Sequence, residues 1–188
     1  MAMRRVRGLS LTELLSTLAI LAILSRSSVA VSQWIDSARA DSAARQIIHS
    51  IQFARLSAVS SGRNTLLCGS EDGLNCSRHW HADSSHVIVF HDANQNRRRD
   101  ASEPLLLNAR WQEGEVQWRA ARRSYLRFRR NGSAKDIGTF PWCPADLDPS
   151  EARQFTINFA GRVYTSRDKN GDGIHEPNRG GGAISCSG

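Results

Sequence analysis

The sequence begins with a basic segment followed directly by an apolar run, and this order constrains the fold more than any other feature. The run is preceded by three arginines, Arg4, Arg5 and Arg7, while residues 14–25 carry no charge and are rich in Leu, Ile and Ala. Such residues form helices readily and are accepted by the core of a bilayer. The basic flank is expected to stay in the cytoplasm. The pattern therefore predicts a transmembrane helix at residues 9–33, with the rest of the chain on the other side of the membrane.

The apolar segment contains one unusual residue near its start, the acid Glu13. Burying a carboxylate at the edge of an apolar helix costs about 2–3 kcal/mol, so Glu13 is expected at the headgroup level or beside a positive partner. Arg26 interrupts the run further along. Its guanidinium is expected to reach the outer interface, which leaves a short membrane span.

The helical pattern does not stop where the apolar run ends. Small and apolar residues recur at spacings of three, four and seven, which predicts an amphipathic continuation of the same helix: Ala40, Ala44, Ile47, Ile51, Ala54 and Ala58. Gly62 follows two serines and suits the left-handed cap that ends a helix. An alternative interpretation is a secretory signal peptide cut after Ser28-Val29-Ala30, which would leave a mature chain that starts at Val31.

Short apolar or alternating segments follow the helix, and no second long helical pattern is present. They predict strands at residues 65–68, 87–90, 105–107, 116–118, 125–128, 139–140, 155–159 and 162–165. The predicted fold class is therefore α+β: a long N-terminal helix, membrane-spanning and then amphipathic, packed on one or two antiparallel sheets. Residues 34–188 are expected to form a single domain that joins the amphipathic helix to a β-rich head.

Four cysteines in a chain bound for an oxidising compartment predict two disulfides. Four cysteines allow three connectivities. The pairing of Cys68 with Cys76 and of Cys143 with Cys186 would close one small loop and attach the C-terminal tail to the body. A zinc site is disfavoured because the sequence has no Cys-x-x-Cys spacing.

The segment from Arg7 to Leu15 resembles the class III leader of type IV pilins and of type II secretion pseudopilins. In that family a prepilin peptidase cuts after the glycine, here Gly8, and methylates the new amino terminus, here Leu9. The resemblance implies that residues 1–8 are a leader peptide. It also implies that Glu13, fifth in the mature chain, pairs with the free amine of a neighbouring subunit. A buried acid is tolerated when it has such a partner.

Four further segments, in this order, resemble the GspH/FimT branch of the pilin-like proteins: residues 89–105, 126–132, 138–143 and 158–163. The resemblance implies a minor pilin or pseudopilin of the bacterial inner membrane, with a single span and a periplasmic head. It implies assembly with other pilins or pseudopilins into a periplasmic or extracellular filament, without a cofactor. The motifs of common hydrolases and phosphate-binding loops are absent from the sequence, so no enzyme is predicted. Type II secretion and type IV pilus roles are not distinguished.

The formal charge of +7 falls to +4 when the three arginines of the leader are removed. A cluster of arginines without an intervening acid nevertheless lies between Trp118 and Ala134, with Tyr125 and Phe128 among them: Arg119, Arg122, Arg123, Arg127, Arg129 and Arg130. On a strand, Arg127 and Arg129 share the face of Tyr125, while Leu126 and Phe128 face the core. Such a patch suits DNA phosphates and stacked bases, and the alternative is a solvated strand face.

Some FimT-like proteins bind DNA for natural transformation through a Gly-Arg-x-Arg motif near the tail. Here Gly161 and Arg162 match that motif, but Tyr164 replaces the second arginine. Arg167 is a possible substitute for it. The resemblance thus carries over one of the two arginines and leaves DNA binding as an alternative function.

Three groups of polar residues have spacings seen in metal sites. Asp168, Asn170, Asp172 and Glu176 follow the opening of a calcium loop, but position twelve is Arg179, so they form a weak candidate. Residues 92–103 repeat the pattern with Arg97 in place of the required glycine, which favours a solvated turn. The alternation of His79, His81 and Asp83 suits a polar strand face better than a metal site.

Overall fold

The computed structural model describes residues 10–77, 86–110, 115–116 and 125–186, without the side chains of residues 23–34 and of Glu115. Its elements are, in chain order, α1 (Leu11–Ser61), β1 (Thr65–Ser70), β2 (His86–His91), β3 (Leu105–Arg110), β4 (Glu115–Val116), β5 (Tyr125–Phe128), β6 (Gly138–Cys143), β7 (Arg153–Ile157) and β8 (Val163–Thr165). The chain forms two compact units, one ending at Arg39 and the other starting at Ala40. We call the second unit the head.

Helix α1 begins at Leu11 and ends at Ser61, directly before the predicted glycine cap. The carbonyl of Ser10 accepts hydrogen bonds from the backbone N–H of Glu13 at 3.0 Å and of Leu14 at 3.1 Å. Glu13 lies in the first turn, where a negative charge suits the positive end of the helix dipole. Gly62 follows the last turn with φ of 64°, a left-handed conformation that glycine adopts without a steric penalty. The predicted long N-terminal helix is confirmed.

The predicted membrane span at residues 9–33 lies partly outside the described residues, which start at Ser10 and lack the side chains of residues 23–34. Within the described part of the chain, no helix has both the length and the apolar character needed to cross a bilayer. Six large apolar side chains near the start of α1 have exposed fractions between 51% and 75%: Leu11, Leu14, Leu15, Leu18, Ile20 and Leu21.

The strands form two four-stranded sheets in which every described pairing is antiparallel, as predicted. The first sheet has the order β3-β2-β1-β5 and the second the order β4-β6-β7-β8. Strand β7 ends at Ile157, two residues earlier than predicted. The reason is a turn in which the N–H of Gly161 donates to the carbonyl of Asn158 at 2.9 Å. Of the predicted strand at residues 116–118, the last two residues lie outside the description.

One core joins the second half of α1 to both sheets. The helix contributes the predicted stripe of small and apolar residues, all of them buried. The sheets contribute larger groups, including Leu67, Leu126 and Phe140, and the ring of Phe140 stacks on that of Phe155 with centroids 5.3 Å apart. Burial of each large side chain stabilises the fold by about 1.5–3 kcal/mol. Alanines on the helix leave room for these rings, which explains why the stripe is rich in alanine.

Of the three possible connectivities, the structure has Cys68–Cys76 and Cys143–Cys186. The first bond closes a small loop around Asp72, whose carboxylate accepts backbone hydrogen bonds from Leu74 and Asn75, each at 2.8 Å. Hydrogen bonds from the side chain and then the backbone of Asn75 lower the pKa of Asp72 well below its usual value. The second bond packs with Ala152 and Ile184 and holds the C-terminal tail against the head.

Candidate functional sites

Glu13 lies on the exposed start of α1, among the apolar side chains described above. No cation within the described residues pairs with its carboxylate. The backbone carbonyl of Glu13 accepts a hydrogen bond from the Ser16 hydroxyl at 2.9 Å, and the carbonyl of Leu14 accepts one from Thr17. The hydroxyls of Ser16 and Thr17 are therefore satisfied by backbone carbonyls of the helix itself. The Glu13 carboxylate remains available to a partner. The predicted processing residues Gly8 and Leu9 lie outside the described residues.

Arg127, the central residue of the predicted arginine patch, is occupied by an internal partner. Its Nε and Nη2 donate to the two carboxylate oxygens of Asp136 at 2.8 and 2.9 Å, and its backbone N–H donates to the same carboxylate at 3.1 Å. The two side chains are only 13% and 2% exposed. Hydrogen bonding to Asp136 raises the pKa of Arg127. The Arg127 guanidinium therefore already neutralises a buried acid, which is an argument against its role as a DNA contact.

The Arg127 guanidinium also lies over the ring of Tyr125, 5.1 Å from its centroid, and Arg97 lies 5.6 Å from the same centroid. Contacts of this kind are favourable cation–π interactions. The neighbouring side chains Leu126 and Phe128 are buried, as the alternation predicts. Tyr125 therefore already contacts two arginines of the same chain.

A second group of the predicted arginines lies on two turns at one corner of the head. The turn after β5 and the turn after β7 touch at their glycines: a Cβ atom on Gly161 would collide with the backbone oxygen of Gly132. That oxygen accepts a hydrogen bond from Arg55 Nε of α1 at 3.0 Å. Arg162 directly follows Gly161, and Arg130 lies two residues before Gly132. Both arginines are exposed. The contact between the glycines thus places Arg130 and Arg162 in the same region of the surface.

Phe159 is an aromatic residue at this corner, and it is 69% exposed. The backbone carbonyl of Phe159 accepts a hydrogen bond from Ala134, so its turn is fixed to the turn that holds Arg130. Arg129 lies in the same turn and donates to the Ser133 hydroxyl at 3.3 Å. The sequence did not single out Phe159 as a surface residue, because the pattern of residues 155–159 predicted a continuous strand.

Arg167 does not join this corner. It follows the far end of β8, and its backbone pairs with Glu176 in an isolated bridge. Strand β8 separates Arg167 from Arg162. The position of Arg167 therefore does not support the idea that it replaces the second arginine of the motif. The other arginines of the predicted patch, Arg119, Arg122 and Arg123, lie outside the described residues, as do His79, His81 and Asp83.

The weak calcium candidate forms a compact loop. Oxygen atoms of Asp168, Asp172 and Glu176 all lie within 4.8 Å of one another. Asp168 accepts hydrogen bonds from the N–H groups of Gly173 and Gly171, which lower its pKa. The buried Glu176 accepts one from the Lys169 N–H at 2.7 Å. Backbone N–H groups therefore satisfy the carboxylates of Asp168 and Glu176. The side-chain amide of Asn170 donates a hydrogen bond to the Asp172 carboxylate at 2.9 Å.

The loop at residues 92–103 is built in a similar way, and the expectation of a solvated turn is correct only for its middle. Its end residues Asp92 and Glu103 are 2% and 5% exposed. Glu103 accepts hydrogen bonds from the N–H groups of Ala93 and Asp100, and Asp92 accepts from that of Arg97. Burial raises the pKa of Asp92. Arg97 has φ of 67°, so an arginine adopts the conformation for which the sequence pattern requires glycine.

The fold is similar to that of a solved filament subunit. The type IV minor pilin FimU of Pseudomonas aeruginosa strain PAO1 superposes with a TM-score of 0.51 at 20% identity, over 78% of this chain and 99% of that chain. A second crystal form of FimU gives 0.49 at 20% identity over 78% and 94%. At this identity the similarity shows the fold. No curated protein sequence matches the chain.

The sequence profile of the family described as type II transport protein GspH matches residues 43–161. That segment contains most of the buried half of α1, strands β1 to β7 and the glycine contact. It covers more than half of the 188 residues. The chain belongs to the GspH family.

Proposed function

We propose that this protein is a minor pilin or pseudopilin subunit, processed after Gly8 and assembled into a filament through its N-terminal helix. The observation that carries the proposal is the row of exposed apolar side chains from Leu11 to Leu21 around Glu13. Large exposed apolar surface marks a region that a membrane or a partner covers. In the proposed cycle the segment at residues 9–33 first lies in the inner membrane, with the head outside the cytoplasm, and then packs on helices of neighbouring subunits.

Glu13 gives this packing its register. Once the leader is removed, each subunit has a free ammonium at Leu9, and the Glu13 carboxylate of a neighbour is its partner. In apolar surroundings an unpaired carboxylate or ammonium is costly, whereas a close pair is tolerated. A subunit that is shifted along its neighbour leaves both charges unpaired. The electrostatic contribution therefore favours one helix register, and the protein acts by assembly and not by catalysis.

The test is the chemical nature of the mature amino terminus. The chain is produced together with a prepilin peptidase, and the N-terminal peptide is analysed by mass spectrometry. The expected result is a chain that starts with N-methyl-leucine at Leu9. A Gly8→Val variant adds a side chain at the cut position and is expected to remain full length. A start at Val31, or a chain left uncut by the peptidase, would contradict the proposal.

DNA binding by the head is a second candidate function, favoured by one specific observation. The contact between Gly132 and Gly161 joins the two turns that carry the exposed residues Arg130, Phe159 and Arg162. Arginines bind phosphates, and an exposed ring offers a stacking surface for bases. The corner therefore has both groups that sequence-tolerant DNA binding requires, although Arg127 and Tyr125 are used internally.

The double variant Arg130→Ala/Arg162→Ala is expected to weaken binding of a fluorescent DNA duplex in an anisotropy titration. Each lost phosphate contact makes the negative slope of log K against log salt shallower by about one, so the double variant is expected to make it shallower by about two. Arg167→Ala is the matched control, since Arg167 is also exposed but lies beyond β8, and it is expected to leave the slope unchanged. Absence of binding at low salt, or an equal effect of Arg167→Ala, would rule this function out.

A further inference from the structure

A groove of about 380 Å³ lies between α1 and the end of β3 on the head. It is lined by residues of one helical face and by the last two residues of the strand: Arg45, Gln46, His49, Ser50, Ala109 and Arg110. Arg45 and His49 are one helical turn apart and therefore neighbours on the helix surface. Their side chains and that of Arg110 are exposed, whereas Ser50 is buried.

Among the described residues, the lining of the groove contains two arginines and no acid. Within the described residues, Arg45 and Arg110 have no ion pair, unlike Arg39 with Asp36 and Arg153 with Asp41. Two cationic groups at a concave site attract an anionic ligand, and a guanidinium binds a carboxylate with two parallel hydrogen bonds. The charge alone thus indicates an anionic ligand.

The strand beside the groove is an open sheet edge. Among the described strands β3 has one neighbour, β2, and so lies at the end of its sheet. An edge strand presents unpaired N–H and C=O groups, to which an extended peptide adds as a further strand. The Asn108 side chain bonds to Gly73 of the small disulfide loop at 3.2 Å, which fixes the strand just before Ala109 and Arg110. This edge is complementary to a peptide backbone, whereas a nucleic acid or a free anion leaves it unused.

We propose that the groove binds an extended acidic peptide segment, which adds to the outer edge of β3 and places carboxylates against Arg45 and Arg110. This inference rests on the proposed function, because the segment is assigned to a neighbouring subunit of the filament. The volume suits a few residues of such a segment. The backbone edge gives affinity to any extended chain, and the arginines select acidic side chains.

The test uses the full-length protein in detergent and a short fluorescent peptide of alternating valine and glutamate. The expected result is binding in an anisotropy titration, together with slower hydrogen–deuterium exchange of the amides in Leu105–Arg110. Arg45→Glu is expected to weaken binding by at least about tenfold, since it replaces an attractive charge by a repulsive one. Arg39→Glu is the matched control on the same helix, outside the groove, and is expected to change the affinity less than about twofold.

The proposal would be overturned by equal binding of a peptide with lysine in place of glutamate, by an unchanged affinity in Arg45→Glu, or by unprotected amides in β3. Inorganic phosphate that binds as tightly as the peptide would show a plain anion site and also overturn it. Arg45 is exposed, so the variant is expected to fold, and its thermal unfolding is compared with that of Arg39→Glu. Because peptide binding is measured on the unassembled protein, its failure is distinguishable from an unexpected mature terminus, which tests the proposed function itself.

Discussion

Replacement of Glu13 by alanine is expected to abolish incorporation of the protein into filaments while the head stays folded. The variant leaves the terminal ammonium of the neighbouring subunit without a partner in apolar surroundings. That loss costs about 2–3 kcal/mol for each contact, which corresponds to a decrease in incorporation of about 30-fold to 150-fold. The measurement is the amount of protein in sheared filaments, relative to the total in cells, detected with an antibody against the head.

The matched control is Asp36→Ala, which removes another carboxylate from the same helix. Asp36 pairs with Arg39 at 3.2 Å, but the Arg39 side chain is 72% and the Asp36 side chain 39% exposed, so this pair stabilises the helix by only about 0.3–0.5 kcal/mol. Incorporation of Asp36→Ala is expected to match that of the unaltered protein. Normal incorporation of Glu13→Ala would contradict the electrostatic role of Glu13. A loss with both variants would point to a general effect on the helix.

The architecture was predictable from the sequence because its signals are local. The stripe from Ala40 to Ala58 repeats with the period of a helix, and Gly62 ends that helix as a glycine cap does. The strands appear as short apolar runs between turn residues, and each predicted strand within the described residues is present. These features depend on neighbours within a few positions, which is the range at which sequence patterns carry information.

The chemistry of the arginine patch was not predictable in this way, because it depends on pairing across a turn. The sequence has no acid between Trp118 and Ala134, yet Asp136 follows just beyond and returns to bond Arg127. The contact of Gly132 with Gly161 joins residues far apart in sequence, and so does the groove between Arg45 and Arg110. A pattern identifies the residue types on a surface, but only the packing of the sheets decides which charges remain available.

Replacement of Arg127 by methionine is expected to be the most destabilising single substitution among the arginines of the head. It leaves the Asp136 carboxylate, which is 2% exposed, without its guanidinium. Removal of one partner from a buried ion pair costs about 3–5 kcal/mol, because the remaining charge stays buried and loses its counter-charge. The free energy of unfolding is measured by urea titration of the full-length protein in detergent, with near-UV circular dichroism to report on tertiary packing.

Two further variants separate the buried charge from the loss of packing. Arg127→Met/Asp136→Asn removes both charges, while the new amide oxygen still accepts the backbone N–H of residue 127, so it is expected to recover most of the lost stability. Arg39→Met breaks the exposed pair with Asp36 and is expected to cost less than about 1 kcal/mol. A cost for Arg127→Met no greater than that of Arg39→Met would show that the Asp136 pair does not stabilise the head, and Arg127 would return to the set of arginines available to DNA.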